Sequence, residues 1–120
     1  MPTIVQSCRI EEDQALLLAR QAKRRHLEVS TLSSLYLKEK ALEEEYPGVG
    51  FRDSVGGREA YVLGHRVGVW EVVEVHREAK SVAKTAQHFR WPLALVRCAL
   101  AFAKAFASEV EQQRQFEIGA

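Results

Sequence analysis

The stretch that most constrains the fold runs from Ser81 to Ala107, because it reads as two helices joined by a short turn. Ser81 can cap the first helix, since its hydroxyl accepts a hydrogen bond from a free amide of the first turn. Pro92 fits the first position of the second helix, where a missing N–H costs no intrahelical bond. Apolar residues then recur at the steps of three and four that mark a core-facing side, at Val96, Leu100, Ala103, Ala107 and Val110. The pattern predicts a helix-turn-helix.

A helix-turn-helix usually binds DNA through the exposed start and outer face of its second helix. The residues predicted for those positions are mostly apolar: Leu93, Ala94, Arg97, Cys98 and Ala101. Among them, Arg97 alone can make the paired hydrogen bonds that recognise guanine. We therefore predict that Arg97 contacts DNA and that the rest of this surface reads few bases.

The same helix carries another apolar face, formed by Leu95, Ala99, Phe102 and Phe106. A helix that is apolar on more than one side is either covered by its own chain or packs against another chain. We predict that Leu95, Phe102 and Phe106 form a dimer or partner contact. The alternative is that the preceding hairpin covers this face.

The C-terminal residues 112–120, QQRQFEIGA, are polar apart from two apolar side chains, Phe116 and Ile118. One interpretation is an arm that folds onto a partner through these two residues, which would extend the partner contact. The other interpretation is a frayed chain end.

Length and charge limit the possible partners. The 120 residues, 47% of them hydrophobic, suffice for one compact domain or two small ones, and the net charge of +1 means that any DNA contact must come from a local basic cluster. The first residues do not resemble a leader peptide, and no run of about 20 apolar residues predicts a membrane span, so we expect a cytoplasmic protein. Cys8 and Cys98 lie far apart in sequence and predict two buried free thiols.

The N-terminal part reads as strand, helix, break and helix. Residues 3–9 alternate weakly and predict a short strand, which needs a pairing partner. Acidic residues open the following helix and the basic run 23–26 ends it, which matches the helix dipole. A second helix is predicted from a cap at Ser30 or Thr31 to the stop at 46–48. The basic run itself is either a solvated helix end or a clamp for phosphates.

This order of elements resembles the ribbon-helix-helix proteins, in which two chains pair their strands and the ribbon enters the major groove of DNA. The resemblance implies that Val5, Ser7 and Arg9 face DNA, while the alternate residues of the strand face the core. The alternative is a strand that joins a sheet of its own chain, or that dimerises without touching DNA.

Glycine-rich sequence follows the second helix and predicts turns and short strands. Residues 55–58 suit a tight hairpin connection, and 60–63 and 65–67 are the strand candidates. Residues 69–79 are predicted to form the first helix of a C-terminal bundle, with Trp70 as a core anchor.

A more specific resemblance is carried by three segments, YPGVGF at 46–51, GREA at 57–60 and GHRVGVW at 64–70, followed by the helix-turn-helix and its ALAF at 99–102. Together they resemble a bacterial family catalogued as a domain of unknown function, whose members have a VapB-like antitoxin helix-turn-helix. The match covers residues 46–113, with His65 in place of the usual threonine and Gly68 in place of the usual proline. The resemblance implies an antitoxin that blocks a PIN-like ribonuclease toxin by direct binding; many such antitoxins also bind their own promoter.

Enzyme chemistry has little support in the sequence. The four histidines show no metal-ligand spacing with Cys, Asp or Glu, and no glycine loop precedes a helix with a phosphate-binding lysine. No feature indicates a secluded carboxylate with a shifted pKa. We therefore predict no catalysis, no cofactor and no metal.

These features together predict a mainly α fold. A ribbon-helix-helix-like unit for dimerisation and DNA binding would occupy residues 1–46, followed by a β-hairpin and a three-helix helix-turn-helix domain over residues 47–120. The predicted function is the antitoxin of a type II toxin-antitoxin pair, with a PIN-like toxin and operator DNA as partners and a homodimer or higher homo-oligomer as the assembly. The alternative is a stand-alone DNA-binding transcriptional regulator.

Overall fold

A computed structural model describes residues 2–119 of the protein. These residues form six α-helices and one two-stranded antiparallel sheet: α1 (Glu12–Arg24), α2 (Val29–Glu45), β1 (Val49–Ser54), β2 (Gly57–Val62), α3 (Val69–Ala79), α4 (Val82–Phe89), α5 (Leu93–Ala105) and α6 (Ala107–Ile118). Internal contacts divide the chain into two compact units, residues 1–38 and 39–120, so the boundary falls within α2. Within the described part of the chain, no helix combines the length and apolar content needed to cross a membrane.

The predicted fold class is wrong in the number and order of its elements. Residues 2–11 have no regular secondary structure, so the strand at 3–9 and the ribbon-helix-helix unit are not formed. A strand must pair its backbone N–H and C=O groups, and none of residues 2–119 forms a ladder with this segment. Four helices follow the hairpin instead of three, because the long last helix breaks at Phe106, whose φ of −122° and ψ of 45° are not helical.

The helices of residues 1–38 follow from local capping and charge. α1 begins in a capping box, in which the Gln14 side chain accepts a hydrogen bond from the backbone N–H of Glu11 at 3.2 Å. Its first turn is acidic and its last turn basic, which confirms the predicted match to the helix dipole. His26 takes a left-handed φ of 55° between the helices, and α2 begins at Val29, ahead of the predicted cap. Ala22 and Leu32 are the buried apolar residues of this unit.

The hairpin runs in register from Val49 opposite Val62 to Ser54 opposite Gly57. Its connection lies at 55–56, inside the predicted 55–58, and Gly57 takes a φ of 109° that a side chain would resist. The strand predictions were poorer: 49–54 was not among the predicted strands, and 65–67 forms no strand. β1 contains two residues of low strand propensity, glycine and aspartate, so its conformation comes from pairing with β2 and not from its own preference.

The core of residues 39–120 has two apolar clusters. One contains Val62, Val72, Ala86, Val96 and Ala99, and the other contains Val49, Val69, Phe102 and Ala103. Because β-strand, α3 and α5 residues appear in both clusters, the hairpin covers the face that α3 and α5 present to it.

Phe102 lies at the centre of the second cluster and is only 4% exposed. The rings of Tyr46 and Phe51 meet it edge-on at centroid distances of 5.4 Å and 5.9 Å, and the ring of Phe106 stacks on it at 4.8 Å. Edge-to-face and offset aromatic pairs contribute stability beyond the area they bury. The ring therefore joins the residue after α2, strand β1 and the end of α5.

Polar contacts hold α6 to the same unit. Arg114 forms an ion pair with Glu74 of α3, and the Gln113 side chain donates to the hydroxyl of Ser54 at 3.2 Å. The ring of Phe116 lies against Gly56 at the tip of the hairpin, although it remains partly exposed. The C-terminal residues through Ile118 therefore continue as helix.

We expect Phe102→Ala to lower the free energy of unfolding by about 3–5 kcal/mol, because it removes a buried ring and leaves a cavity among three other aromatic residues. Phe116→Ala is the matched control: its ring is 45% exposed, and its loss should cost about 1 kcal/mol or less. Denaturant unfolding followed by circular dichroism measures both. A Phe102→Ala protomer that unfolds like the wild type, while an oligomer dissociates, would assign the ring to an interface instead.

Candidate nucleic-acid interface

α4 is capped as the sequence predicts. The hydroxyl oxygen of Ser81 accepts a hydrogen bond from the backbone N–H of Lys84 at 3.2 Å. The Thr85 hydroxyl, which is fully buried, donates to the carbonyl of Ser81 at 2.7 Å. The first bond satisfies an N–H group that a helix start leaves open, and the second gives the buried Thr85 hydroxyl a partner.

Residues 90–92 form the turn between α4 and α5. Arg90 ends α4 in a left-handed conformation with a φ of 61°, and the backbone N–H of Trp91 donates to the carbonyl of Ala86 at 3.0 Å. Pro92 is the N-cap of α5, one position earlier than predicted. The helix-turn-helix connectivity predicted from the sequence is therefore present, as part of the four helices α3 to α6.

The turn is held in place by the ring of Trp91. This ring stacks on Phe89 with a centroid distance of 4.3 Å and an interplanar angle of 15°. Its Nε1–H donates to Nδ1 of His65, in the segment after β2, at 3.1 Å. Val96 and Ala86 fill the space between α4 and α5 and are almost completely buried. The orientation of α5 is thus set by packing and by a directional hydrogen bond.

Positive charge is concentrated on this helix pair. Residues 80–108 contain five basic residues and no Asp or Glu: Lys80, Lys84, Arg90, Arg97 and Lys104. All five side chains are exposed, and the ion pairs of residues 2–119 use other cations, such as Arg58 and Arg114. In the rest of the chain the sixteen acidic residues outnumber the remaining twelve basic ones. We call residues 80–108, which contain α4, the turn and α5 together with the residues that flank them, the basic helix pair.

The exposed side of α5 combines small residues with cations. Its members recur at helical spacing and are Leu93, Ala94, Arg97, Ala101 and Lys104, all of them exposed. Cys98 was expected to share this surface, but its sulfur is half-buried and accepts the N–H of Gly48 at 3.4 Å. The predicted DNA contact Arg97 therefore lies at the middle of an open helix face.

The other predicted DNA contacts, Val5, Ser7 and Arg9, belong to the unit of residues 1–38. All three are exposed in a segment without regular secondary structure. Since no strand forms there, the alternation that was to point these side chains toward DNA is absent. Cys8, predicted to be buried, is exposed for the same reason, although both cysteines are free as expected.

The predicted partner contacts divide into two groups. Leu95 and Phe106 are half-buried against the two core clusters, and Phe102 has almost no exposed surface left for a partner because Tyr46 and Phe51 cover its ring. Phe116 and Ile118, in contrast, remain 45% and 51% exposed near the end of α6.

Two nearly buried carboxylates were missed by the sequence analysis, which found no sign of any. Glu59 is 5% exposed and accepts hydrogen bonds from Nε of Arg52 and Nε1 of Trp70, both at 3.0 Å. Arg52 and Glu59 stand directly opposite each other in the hairpin. The signal in the sequence is an Arg-Glu pair on opposite strands, but recognising it requires the register of β1, which was not among the predicted strands.

The second buried carboxylate, Glu39, lies near the middle of α2 and receives two hydrogen bonds of 2.7 Å from Arg58. Arg58 also donates to Asp53 at 3.0 Å, and the hydrogen bond to Glu39 is the main cause of a raised pKa for the guanidinium. Each buried carboxylate thus accepts hydrogen bonds from a guanidinium of the hairpin, and these bonds help to fix the hairpin in place.

Metal binding finds no support in the described part of the chain. Residues 2–119 contain no group of three or more His, Cys, Asp or Glu side chains that could hold a metal ion.

Comparison of the chain with protein-family models, with curated proteins and with solved structures finds no match. The resemblance stated for residues 46–113 therefore stays a prediction, whereas the ribbon-helix-helix-like fold expected for residues 1–46 is not formed.

Glu71, in the first turn of α3, is expected to make the stability of the fold depend on pH. Its burial raises the pKa of the carboxyl above the usual value, although a hydrogen bond from the backbone of Gly68 acts in the opposite direction. An acid with a raised folded-state pKa stabilises the fold while protonated, and this contribution is lost as pH rises from the unfolded pKa through the folded one. We expect Glu71→Gln to raise the Tm at about pH 7 and to change it little at about pH 4 or below.

Thermal unfolding of both proteins across this pH range measures the effect. Glu109→Gln is the control, because Glu109 occupies the first turn of α6 and is exposed, so it should not raise the Tm. A lower Tm for Glu71→Gln at neutral pH would show that the carboxylate is favoured where it lies.

Proposed function

We propose that this protein binds duplex DNA through α4 and α5 and acts as a transcriptional regulator. The observation that carries the proposal is the basic helix pair: five exposed cations without an acidic residue, in a stretch that contains two helices joined by a three-residue turn, in a chain with a net charge of +1. Lys84, Arg97 and Lys104 lie on the helices, while Lys80 precedes α4 and Arg90 lies in the turn. Clustered cations on one element attract the phosphate backbone even when the whole protein is nearly neutral.

The docking follows the general geometry of two helices joined by such a turn. The second helix enters the major groove with its N-terminal residues toward the bases, and the first helix crosses the backbone. Ala94 and Ala101 are small, so the backbone of α5 can approach the base edges closely and their methyl groups can contact thymine methyls. Arg97, between them, can donate two hydrogen bonds to O6 and N7 of a guanine.

The remaining cations suit phosphates better than bases. Lys84 and Arg90 belong to α4 and the turn, and Lys104 lies in the last turn of α5. Contacts of this kind position a protein on the duplex and make the affinity depend steeply on salt, without reading sequence. We therefore assign specificity to Arg97 and non-specific affinity to the lysines and Arg90.

We expect Arg97→Ala to weaken binding to a duplex selected in vitro by about 10- to 100-fold, because about 1–3 kcal/mol of guanine recognition is lost. Lys104→Ala should weaken binding to selected and random duplexes by the same smaller factor, since it removes only a phosphate contact. Fluorescence anisotropy with labelled duplexes of both kinds, over a salt series, measures both effects. The slope of log Kd against log salt should fall by about 1 for each cation removed from a phosphate contact.

Lys40→Ala is the control for loss of an exposed cation, because Lys40 lies on α2 and pairs with Glu44. It should leave affinity unchanged. Arg9→Ala separates this docking from DNA binding by the N-terminal segment. If Arg9→Ala weakened binding while Arg97→Ala did not, or if the wild type bound no duplex at low salt, α5 would not be the DNA-binding element.

Exposed apolar side chains near both chain ends favour a second function, neutralisation of a protein toxin by direct binding. Ile4 and Val5 are 85% and 95% exposed, and Phe116 and Ile118 are about half exposed. Ile4 and Val5 lie in a segment without regular secondary structure, which can become ordered on a partner, and Phe116 and Ile118 present apolar surface on α6. The family resemblance of residues 46–113 names the expected partner class, a PIN-like ribonuclease.

Co-expression with a PIN-like ribonuclease encoded beside this protein tests the second function. We expect the wild type to relieve growth arrest and to co-purify with the toxin, and we expect Phe116→Ala with Ile118→Ala to lose both effects by removing apolar contact area. Leu63→Ala, at another exposed apolar residue, is the control. Persistent growth arrest with the wild type present would exclude neutralisation of that toxin.

A further inference from the structure

The outward side of α1 carries an ordered stripe of four residues: Asp13, Leu16, Leu17 and Arg20. Their spacing of i, i+3, i+4 and i+7 places them on one face of the helix. All four are exposed, the two leucines by 60% and 53%, whereas Ala22 on the opposite side is buried. Two adjacent exposed leucines flanked by opposite charges are not explained by the packing of residues 1–38.

The stripe is complementary to itself. A second α1 that lies antiparallel across it, with a two-fold axis between Leu16 and Leu17, brings Leu16 onto the partner's Leu17. The same axis places Asp13 against the partner's Arg20 and Arg20 against the partner's Asp13. A two-fold interface requires one surface to match itself in this way. The geometry points to a second copy of this chain as the occupant of the outward face of α1.

The size of the N-terminal unit supports the same conclusion. It contains 38 residues, its cysteine is a free thiol, and among its described residues only Ala22 and Leu32 are buried apolar side chains. A unit below about 40 residues usually needs a disulfide, a metal or oligomerisation to be stable. Pairing α1 with α1 supplies apolar burial that the unit lacks.

The charges of the stripe distinguish this occupant from others. Asp13 disfavours a nucleic acid, and charged residues at both ends of the leucine pair disfavour insertion into a membrane surface. The pairing does not depend on the proposed DNA binding, and it would form in the absence of DNA. One helix pair buries less than a standard interface, so we expect a weak dimer with a Kd of about 10–100 µM.

Sedimentation equilibrium of the full chain without DNA, from about 1 to 500 µM, tests the dimer over the expected range of Kd. Leu17→Glu should raise the Kd by at least about tenfold, because it places a carboxylate in the apolar centre. Leu37→Glu is the matched control: Leu37 lies on α2 and is 54% exposed, against 53% for Leu17, so its substitution should leave the Kd unchanged. Circular dichroism checks that each variant keeps its helices.

Charge exchange tests the antiparallel register directly. Asp13→Arg and Arg20→Asp should each raise the Kd by roughly tenfold, because each homodimer then contains two like-charged pairs. An equimolar mixture of the two variants should form a heterodimer of about wild-type affinity, visible by native mass spectrometry, since every arginine then meets an aspartate. If the substitutions acted through the helix dipole or by unfolding the helix, mixing the two variants would not restore the affinity.

Four results would overturn the inference. They are a wild type that stays monomeric at every concentration, equal dissociation by Leu37→Glu and Leu17→Glu, homodimers of both charge variants as tight as the wild type, and a mixture that associates no better than either variant alone.

Discussion

The burial of the Phe102 ring is the contact on which the rest of residues 39–120 depends. Tyr46, Phe51 and Phe106 surround it, so one side chain of α5 fixes the chain after α2, the first strand and the break before α6. Large aromatic side chains dominate core energetics because each buries a large apolar area. This contact turns one face of α5 inward and leaves the opposite face open.

The open face of α5 is basic because its cations are separated in sequence from the acidic residues. Glu39 and Glu59 of this unit receive hydrogen bonds from Arg58 and Arg52, whereas the basic helix pair itself contains no acidic residue. A guanidinium whose donors are occupied by a carboxylate cannot serve a ligand, and one without such a partner can. The division between stabilising and available cations is therefore the physical basis of the proposed DNA contact.

Much of the candidate site could be predicted from the sequence, because it depends on local signals. The cap at Ser81, the turn before Pro92 and the position of Arg97 on the second helix all involve residues within a few positions of one another. The absence of Asp and Glu from residues 80–108 is also visible in the sequence. Burial of Glu59 could not be read, since it depends on the register of a strand that local preference did not indicate.

The sequence by itself determined the approximate positions of α1 to α4, the start of α5, the cap at Ser81 and the hairpin connection, since capping, periodicity and glycine conformation act between near neighbours. Only the tertiary structure decided that residues 2–11 form no strand, that 49–54 does, and that the last helix breaks at Phe106. It also decided that Phe102 faces its own chain. These outcomes depend on which distant segment supplies a hydrogen-bonding edge or an apolar surface. The sequence of a segment indicates that it must be paired or buried, but it does not identify the segment that pairs with it or covers it.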